Sequence, residues 1–129
     1  MMSSSVTTTR SGRERISPEK AALAFSGRQH GQIIDADLEG LCFQYFTSPN
    51  KTAVRNVQEG MGEETVDIVF GAFDFTLAGL PVEAVADFQV SARDTGESKQ
   101  IVRRRALTFG KLTPKQLFSL KRFLLLSRY

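Results

Sequence analysis

Gln32-Ile33-Ile34-Asp35-Ala36-Asp37-Leu38-Glu39-Gly40-Leu41-Cys42-Phe43-Gln44-Tyr45-Phe46 holds two apolar runs around a short acidic turn that ends in glycine. The second run is aromatic, with Phe43, Tyr45 and Phe46, residue types that suit a pleated, half-buried surface. The stretch reads as strand, polar turn over 36–39, and strand from Gly40 to Phe46: a hairpin or a tight strand-to-strand corner.

Working outward, Ala21 to Ser26 forms another short apolar strand, separated from the first by a turn over Gly27 to Gly31. Ser48 to Gly62 is polar and predicts a loop with room for a helical turn. Thr65 to Phe70 and Phe73 to Ala78 make two arms around Gly71, and Asp67-Ile68-Val69-Phe70 is apolar enough for a buried strand. Gly79-Leu80-Pro81 predicts a turn, with Pro81 at the start or edge of a strand over Val82 to Val90. A polar turn over Arg93 to Lys99 precedes a strand over Gln100 to Gly110, alternating in Ala106-Leu107-Thr108-Phe109. Thr113-Pro114-Lys115-Gln116 is a helix start: Thr113 caps, Pro114 takes the first position and Gln116 reaches back. Leu117, Leu120 and Leu124, with Phe118 and Leu125, then recur at helical spacing.

The sum is a mainly β chain: a small antiparallel barrel of about six or seven strands over 20–110, followed by a helix over 113–127. No helical crossovers lie between the strands, so a parallel sheet is excluded. The length of 129 residues with 41% hydrophobic content suits one domain with one core, filled in large part by ten Phe. Residues 1–12, polar and then basic, are expected to be a flexible tail and arginine arm, leaving 13–129 as the domain.

Several function classes drop out. Cys42 is the one cysteine and sits in an apolar run, so it reads as a buried thiol. His30 is the one histidine, which leaves too few ligands for a zinc site and no Ser-His-Asp triad. The chain is therefore expected not to be an enzyme. No stretch is long and apolar enough to span a membrane, and the N-terminus has no apolar signal core, which makes the cytoplasm the default location. The net charge of +3 permits anionic partners without demanding them. A basic barrel binding single-stranded nucleic acid is disfavoured, because the aromatics lie mostly in apolar runs. Arg103-Arg104-Arg105 alternate strand faces and either solvate or line an anionic surface, while Asp87 and Glu83 show no evident pairing.

Asp35, Asp37 and Gly40 stand at the first, third and sixth places of a six-residue motif leading into an apolar strand. That motif resembles the second signature of the PilZ family: Asp or Asn, any residue, Ser, two residues, Gly. Asp37 stands where the family has serine. Arg103 to Gly110, then Leu112-Thr113-Pro114-Lys115-Gln116 and an apolar helix, resemble the last strand and terminal helix of such domains, so the likeness spans roughly 10–128. The family's first signature is two arginines with three residues between, just before the first strand. Arg10, Arg13 and Arg15 lie in that region without that spacing; the partner place holds Thr9 or Ser11, according to register.

The resemblance implies a non-enzymatic regulatory domain that needs no cofactor and takes cyclic di-GMP as its ligand. The implied site residues are Arg10, Arg13, Arg15, Asp35, Asp37 and Gly40. Arginine forks suit phosphate oxygens or the guanine O6 and N7 edge, and Asp35 can accept from guanine N–H groups. Ionised Asp37 accepts only, and opposes a phosphate where serine would donate. Gly40 implies either a backbone conformation closed to other residues or close approach to the ligand. Asp35 and Asp37 also suit plain turn residues bonding nearby N–H groups. The expectation is weak or absent cyclic di-GMP binding with signalling through an unidentified protein partner; the alternative is an interaction module that has lost nucleotide binding.

Overall fold

The computed structural model describes residues 13–48, 62–94, 96 and 99–128. The tail and Arg10, and most of the polar loop over 48–62, lie outside the described residues. Among the described residues there are seven strands: β1 (Glu14–Arg15), β2 (Ala22–Ser26), β3 (Gln29–Ala36), β4 (Gly40–Thr47), β5 (Gly62–Phe70), β6 (Phe75–Asp94) and β7 (Lys99–Phe109). One helix, α1 (Pro114–Leu126), follows. Every pairing is antiparallel, and β4 returns to β3, so six strands close into a ring in the order β3-β2-β5-β6-β7-β4. The edge of β3 that β2 leaves at Gln32 is taken further along by β1, with Arg15 opposite Asp35. The mainly β architecture with a C-terminal helix is as the strand punctuation implies.

Alternation puts Ala22, Ala24, Ile33, Leu41, Phe43, Val66, Ile68, Phe70, Leu80 and Leu107 inside the ring. The helix closes the end where Phe70 lies. Its Leu120 and Phe123 are fully buried, and Phe123 meets Phe70 edge-on at 5.0 Å between ring centres. Each such side chain stabilises the fold by about 1.5–3 kcal/mol. The helix begins as its sequence dictates: Thr113 Oγ1 accepts from Gln116 N–H at 3.1 Å, and Gln116 Oε1 accepts from Thr113 N–H at 3.0 Å. Gln116 Nε2 also donates to the Gly79 carbonyl at 3.1 Å, tying the helix start to β6. Among the described residues no helix is long and apolar enough to cross a membrane.

Gly79-Leu80-Pro81 is not a turn; β6 runs straight through it. Gly79 takes φ +72° in a bulge against β5, and its N–H is held by Asp67 Oδ1 at 2.8 Å. The glycine's left-handed freedom serves a local kink, not a chain reversal. The arm expected from Phe73 begins at Phe75, because Gly71–Phe73 form a 3-10 turn.

The interior is not wholly apolar. Asp87 is the hub of a buried ion-pair network, against the expectation that it has no special partner. A bulge between Ala84 and Ala86 shifts the alternation of β6 and aims Asp87 inward, directly opposite Arg105. Asp87 Oδ1 accepts from Arg103 Nε at 2.7 Å, and Asp87 Oδ2 from Arg105 Nη1 at 2.9 Å and Tyr45 Oη at 2.6 Å. Arg105 Nη2 reaches Glu64 Oε1 at 2.9 Å, and Glu64 Oε2 accepts from Ser26 Oγ. Arg105 and Asp87 side chains are only 5% and 4% exposed. Two cations facing two carboxylates leave the cluster neutral, the condition under which charges tolerate burial. Burial, reinforced by the bond to Asp87, pushes the Tyr45 phenol well above its ordinary range. The triple arginine thus divides: Arg103 and Arg105 turn inward, and Arg104 alone faces out.

Candidate functional site

The turn between β3 and β4 is built by Asp37. Its Oδ1 accepts from Glu39 N–H at 2.7 Å and Gly40 N–H at 2.9 Å, and its own N–H bonds the Gly40 carbonyl at 2.9 Å. This is the side-chain turn that short acidic residues favour. A further bond, Phe109 N–H to the Glu39 carbonyl at 2.8 Å, fastens the turn to β7. Gly40 is required here by packing and not by a left-handed backbone angle. A Cβ at this position would lie 2.1 Å from the Leu107 carbonyl oxygen, so β4 and β7 approach too closely for any side chain.

A bulge between Ile33 and Asp35 in the β3–β4 ladder turns Asp35 to the outside while Ile33 and Ala36 both stay buried. Asp35 and Asp37 then converge on one cation. Arg13 Nη1 lies 3.1 Å from Asp35 Oδ1, and Arg13 Nε lies 3.3 Å from Asp37 Oδ2. The segment behind Arg13 is placed by β1 and by Ile16, which is buried and donates its N–H to the Ile34 carbonyl at 3.0 Å. Four of the six residues singled out in the sequence, Arg13, Asp35, Asp37 and Gly40, therefore meet at one corner of the ring. Arg15 pairs with Asp35 through the backbone and has an exposed side chain.

The same outer face carries Cys42, which is half-buried there and not a core thiol as expected, and Arg104 of the triple arginine. Cys42 lies opposite Asp35 on one side and Ala106 on the other; Gln44 lies opposite Arg104, whose Nε donates to Gln44 Oε1 at 3.0 Å. Burial pushes the Cys42 thiol above its ordinary range, and Asp35 adds to this, while Arg104 and Arg13 pull against it. Arg104 thus extends the polar surface that begins at Arg13. The signal for it was available in strand parity: Arg104 has the opposite parity to inward Leu107. No group of three or more metal-ligating side chains stands together among the described residues.

The ring and its closing helix recur in solved structures. The chain matches the PilZ domain of YcgR from Escherichia coli, solved with c-di-GMP, at a TM-score of 0.65 and 10% identity, covering 90% of this chain and 88% of that one. The chain has the fold of a PilZ domain. MrkH of K. pneumonia in its apo state matches at a TM-score of 0.58 and 12% identity, over 88% of this chain and 46% of that one. No protein-family model matches the sequence, and no curated protein matches it.

Proposed function

We propose that this chain is a non-enzymatic PilZ regulatory domain that takes cyclic di-GMP weakly on the outer face around the β3–β4 turn. The single observation behind this is the Arg13 guanidinium held between Asp35 and Asp37. An arginine at that corner suits a phosphate or a guanine edge, and Asp35 suits guanine N–H donors. YcgR, whose PilZ domain was solved with c-di-GMP, supports the ligand class. The Arg13–Asp37 pair explains the weakness: a ligand phosphate must take the cation from a carboxylate already in place, and the carboxylate then repels it. Arg104, half-buried on the same face, offers a second cation to the ligand.

A second reading is favoured by the same pair. With Asp37 supplying an internal anion, Arg13 is docked without ligand, which suits an interaction module that has lost nucleotide binding. Calorimetric titration of the full chain with cyclic di-GMP, beside Arg13→Ala and Asp37→Ser, separates the two. Weak saturable binding that disappears in Arg13→Ala supports the first. Absence of binding by both the unmodified chain and Asp37→Ser overturns it in favour of the second.

A further inference from the structure

The charge of the chain is unevenly placed. Residues 110–129 hold five Lys or Arg and no Asp or Glu, while the 109 residues before them hold twelve Lys or Arg and fourteen Asp or Glu. The whole positive excess therefore belongs to α1 and its flanks. The helix turns Leu120 and Phe123 into the core, so the opposite face is presented to the outside. On that face Phe118 is 64% exposed and Leu125 53% exposed, seven residues and about two turns apart, with Leu117 beside them. Lys115, Lys121 and Arg122 flank this apolar row on both sides and are exposed. Arg122 leans its guanidinium over Phe75, 5.7 Å from the ring centre, so its stem lies along the domain while its charge stays at the surface.

We infer that this outward face of α1 adsorbs the domain onto an anionic lipid bilayer. An exposed apolar row flanked by Lys and Arg is the pattern of a helix lying in the headgroup plane, with rings in the acyl boundary and cations among the phosphates. The face is convex and its cations lie on both sides. A plane of anionic headgroups meets both sides at once, whereas a protein groove would need two acidic walls. Two-fold pairing of this face with itself is opposed by like charge, since it sets cation against cation. Nucleic acid would use the cations but leave Phe118 and Leu125 against a phosphate backbone. The domain lies on the membrane; nothing in α1 crosses it.

Co-sedimentation of the full chain with vesicles tests this without any nucleotide, so its outcome is independent of the cyclic di-GMP reading. The chain is expected to sediment with phosphatidylcholine vesicles containing phosphatidylglycerol and not with phosphatidylcholine alone, and to be released by high salt. Lys115→Ala with Lys121→Ala should lower partition about 25-fold, at about fivefold for each cation near an anionic surface. Phe118→Ser with Leu125→Ser should also release it; both side chains are exposed, so the fold is retained, as unchanged circular dichroism would show. The inference is overturned by equal sedimentation with both vesicles, by sedimentation with neither, by binding that survives Phe118→Ser with Leu125→Ser, or by capture on a double-stranded oligonucleotide or an acidic peptide in place of vesicles.

Discussion

Replacing Asp37 by serine should raise affinity for cyclic di-GMP and lower stability, and the two effects have separate sources in the structure. Asp37 Oδ2 pairs with Arg13 Nε at 3.3 Å between partly exposed side chains, a contact worth about 0.2–1 kcal/mol. A ligand that takes Arg13 must first cancel that contact. It must also face a fixed anion: two like charges about 4 Å apart near a protein surface repel by up to about 4 kcal/mol, less where water and salt screen them. Together these predict a gain of about 1.5–3 kcal/mol on substitution, which is about 10- to 100-fold in affinity. The stability loss comes from Asp37 Oδ1, which accepts two backbone N–H bonds at the turn. A serine hydroxyl replaces them more weakly, at a cost of about 0.5–1 kcal/mol. Calorimetry at two salt concentrations reads the affinity, and the gain should shrink at the higher one because it is electrostatic. Urea unfolding reads the stability. Recovery is partial, since the arginine spacing is a separate defect; Thr9→Arg or Ser11→Arg should add to it and show which register the arm uses. Sub-micromolar binding by the unmodified chain, unaltered by Asp37→Ser, would refute the reasoning, because Asp37 then does not face the ligand.

Three further outcomes are expected. Asp87→Ala should destabilise by about 3–5 kcal/mol in urea unfolding, because it removes the carboxylate of Arg103, leaves Arg105 with Glu64 alone and removes the acceptor of Tyr45; a loss below 1 kcal/mol would mean the cluster is hydrated. Tyr45→Phe should cost about 1–2 kcal/mol at neutral pH. Because the folded state holds the Tyr45 phenol above its ordinary value of 10.0, the unfolded chain gives up that proton first, so the tyrosine's contribution is complete well below pH 10 and declines as the pH rises through it. The stability gap between the unmodified chain and Tyr45→Phe should therefore narrow between pH 8 and pH 11, and a constant gap would show that the phenol is not held neutral. Gly40→Ala should lower stability by about 1–3 kcal/mol through displacement of β4 from β7, since its Cβ would lie 2.1 Å from the Leu107 carbonyl oxygen; an unchanged melting temperature would contradict that packing.

The fold was legible where local chemistry and burial agree. The acidic turn between Ile-rich and aromatic runs, and the Thr113 to Gln116 cap, each encode one structure through near neighbours, and β4 and α1 begin within a residue of their expected places. What stayed hidden depends on long-range register. Gly79-Leu80-Pro81 has the composition of a turn, and only the pairing of β5 with β6 decides that Gly79 serves as a bulge. Asp87 looks unremarkable in sequence because its partners are 16 and 18 residues downstream on β7 and 42 upstream on β4. Bulges at Ala84–Ala86 and Ile33–Asp35 each break the two-residue period, so no alternation rule could have aimed Asp87 in and Asp35 out. At the site, the acidic motif was readable because it is contiguous. Its pairing with Arg13 was not, since it follows from how β1 docks against the far half of β3.

The two arginine–carboxylate systems differ in what they allow to move. The inner one joins β2, β4, β5, β6 and β7 through Ser26, Tyr45, Glu64, Asp87, Arg103 and Arg105, so shifting any member strands a buried charge. That penalty makes the ring a poor carrier of a graded signal. The outer system is anchored otherwise. Asp35 and Asp37 belong to β3 and its turn into β4, but Arg13 lies just before β1, which has two paired residues before Ile16 pins the chain into the core. Releasing Arg13 from both carboxylates disturbs partly exposed contacts and a two-residue ladder, whereas releasing Ile16 exposes core. An anion that competed for Arg13 would therefore have only the two-residue ladder of β1 to disturb before it met the buried Ile16.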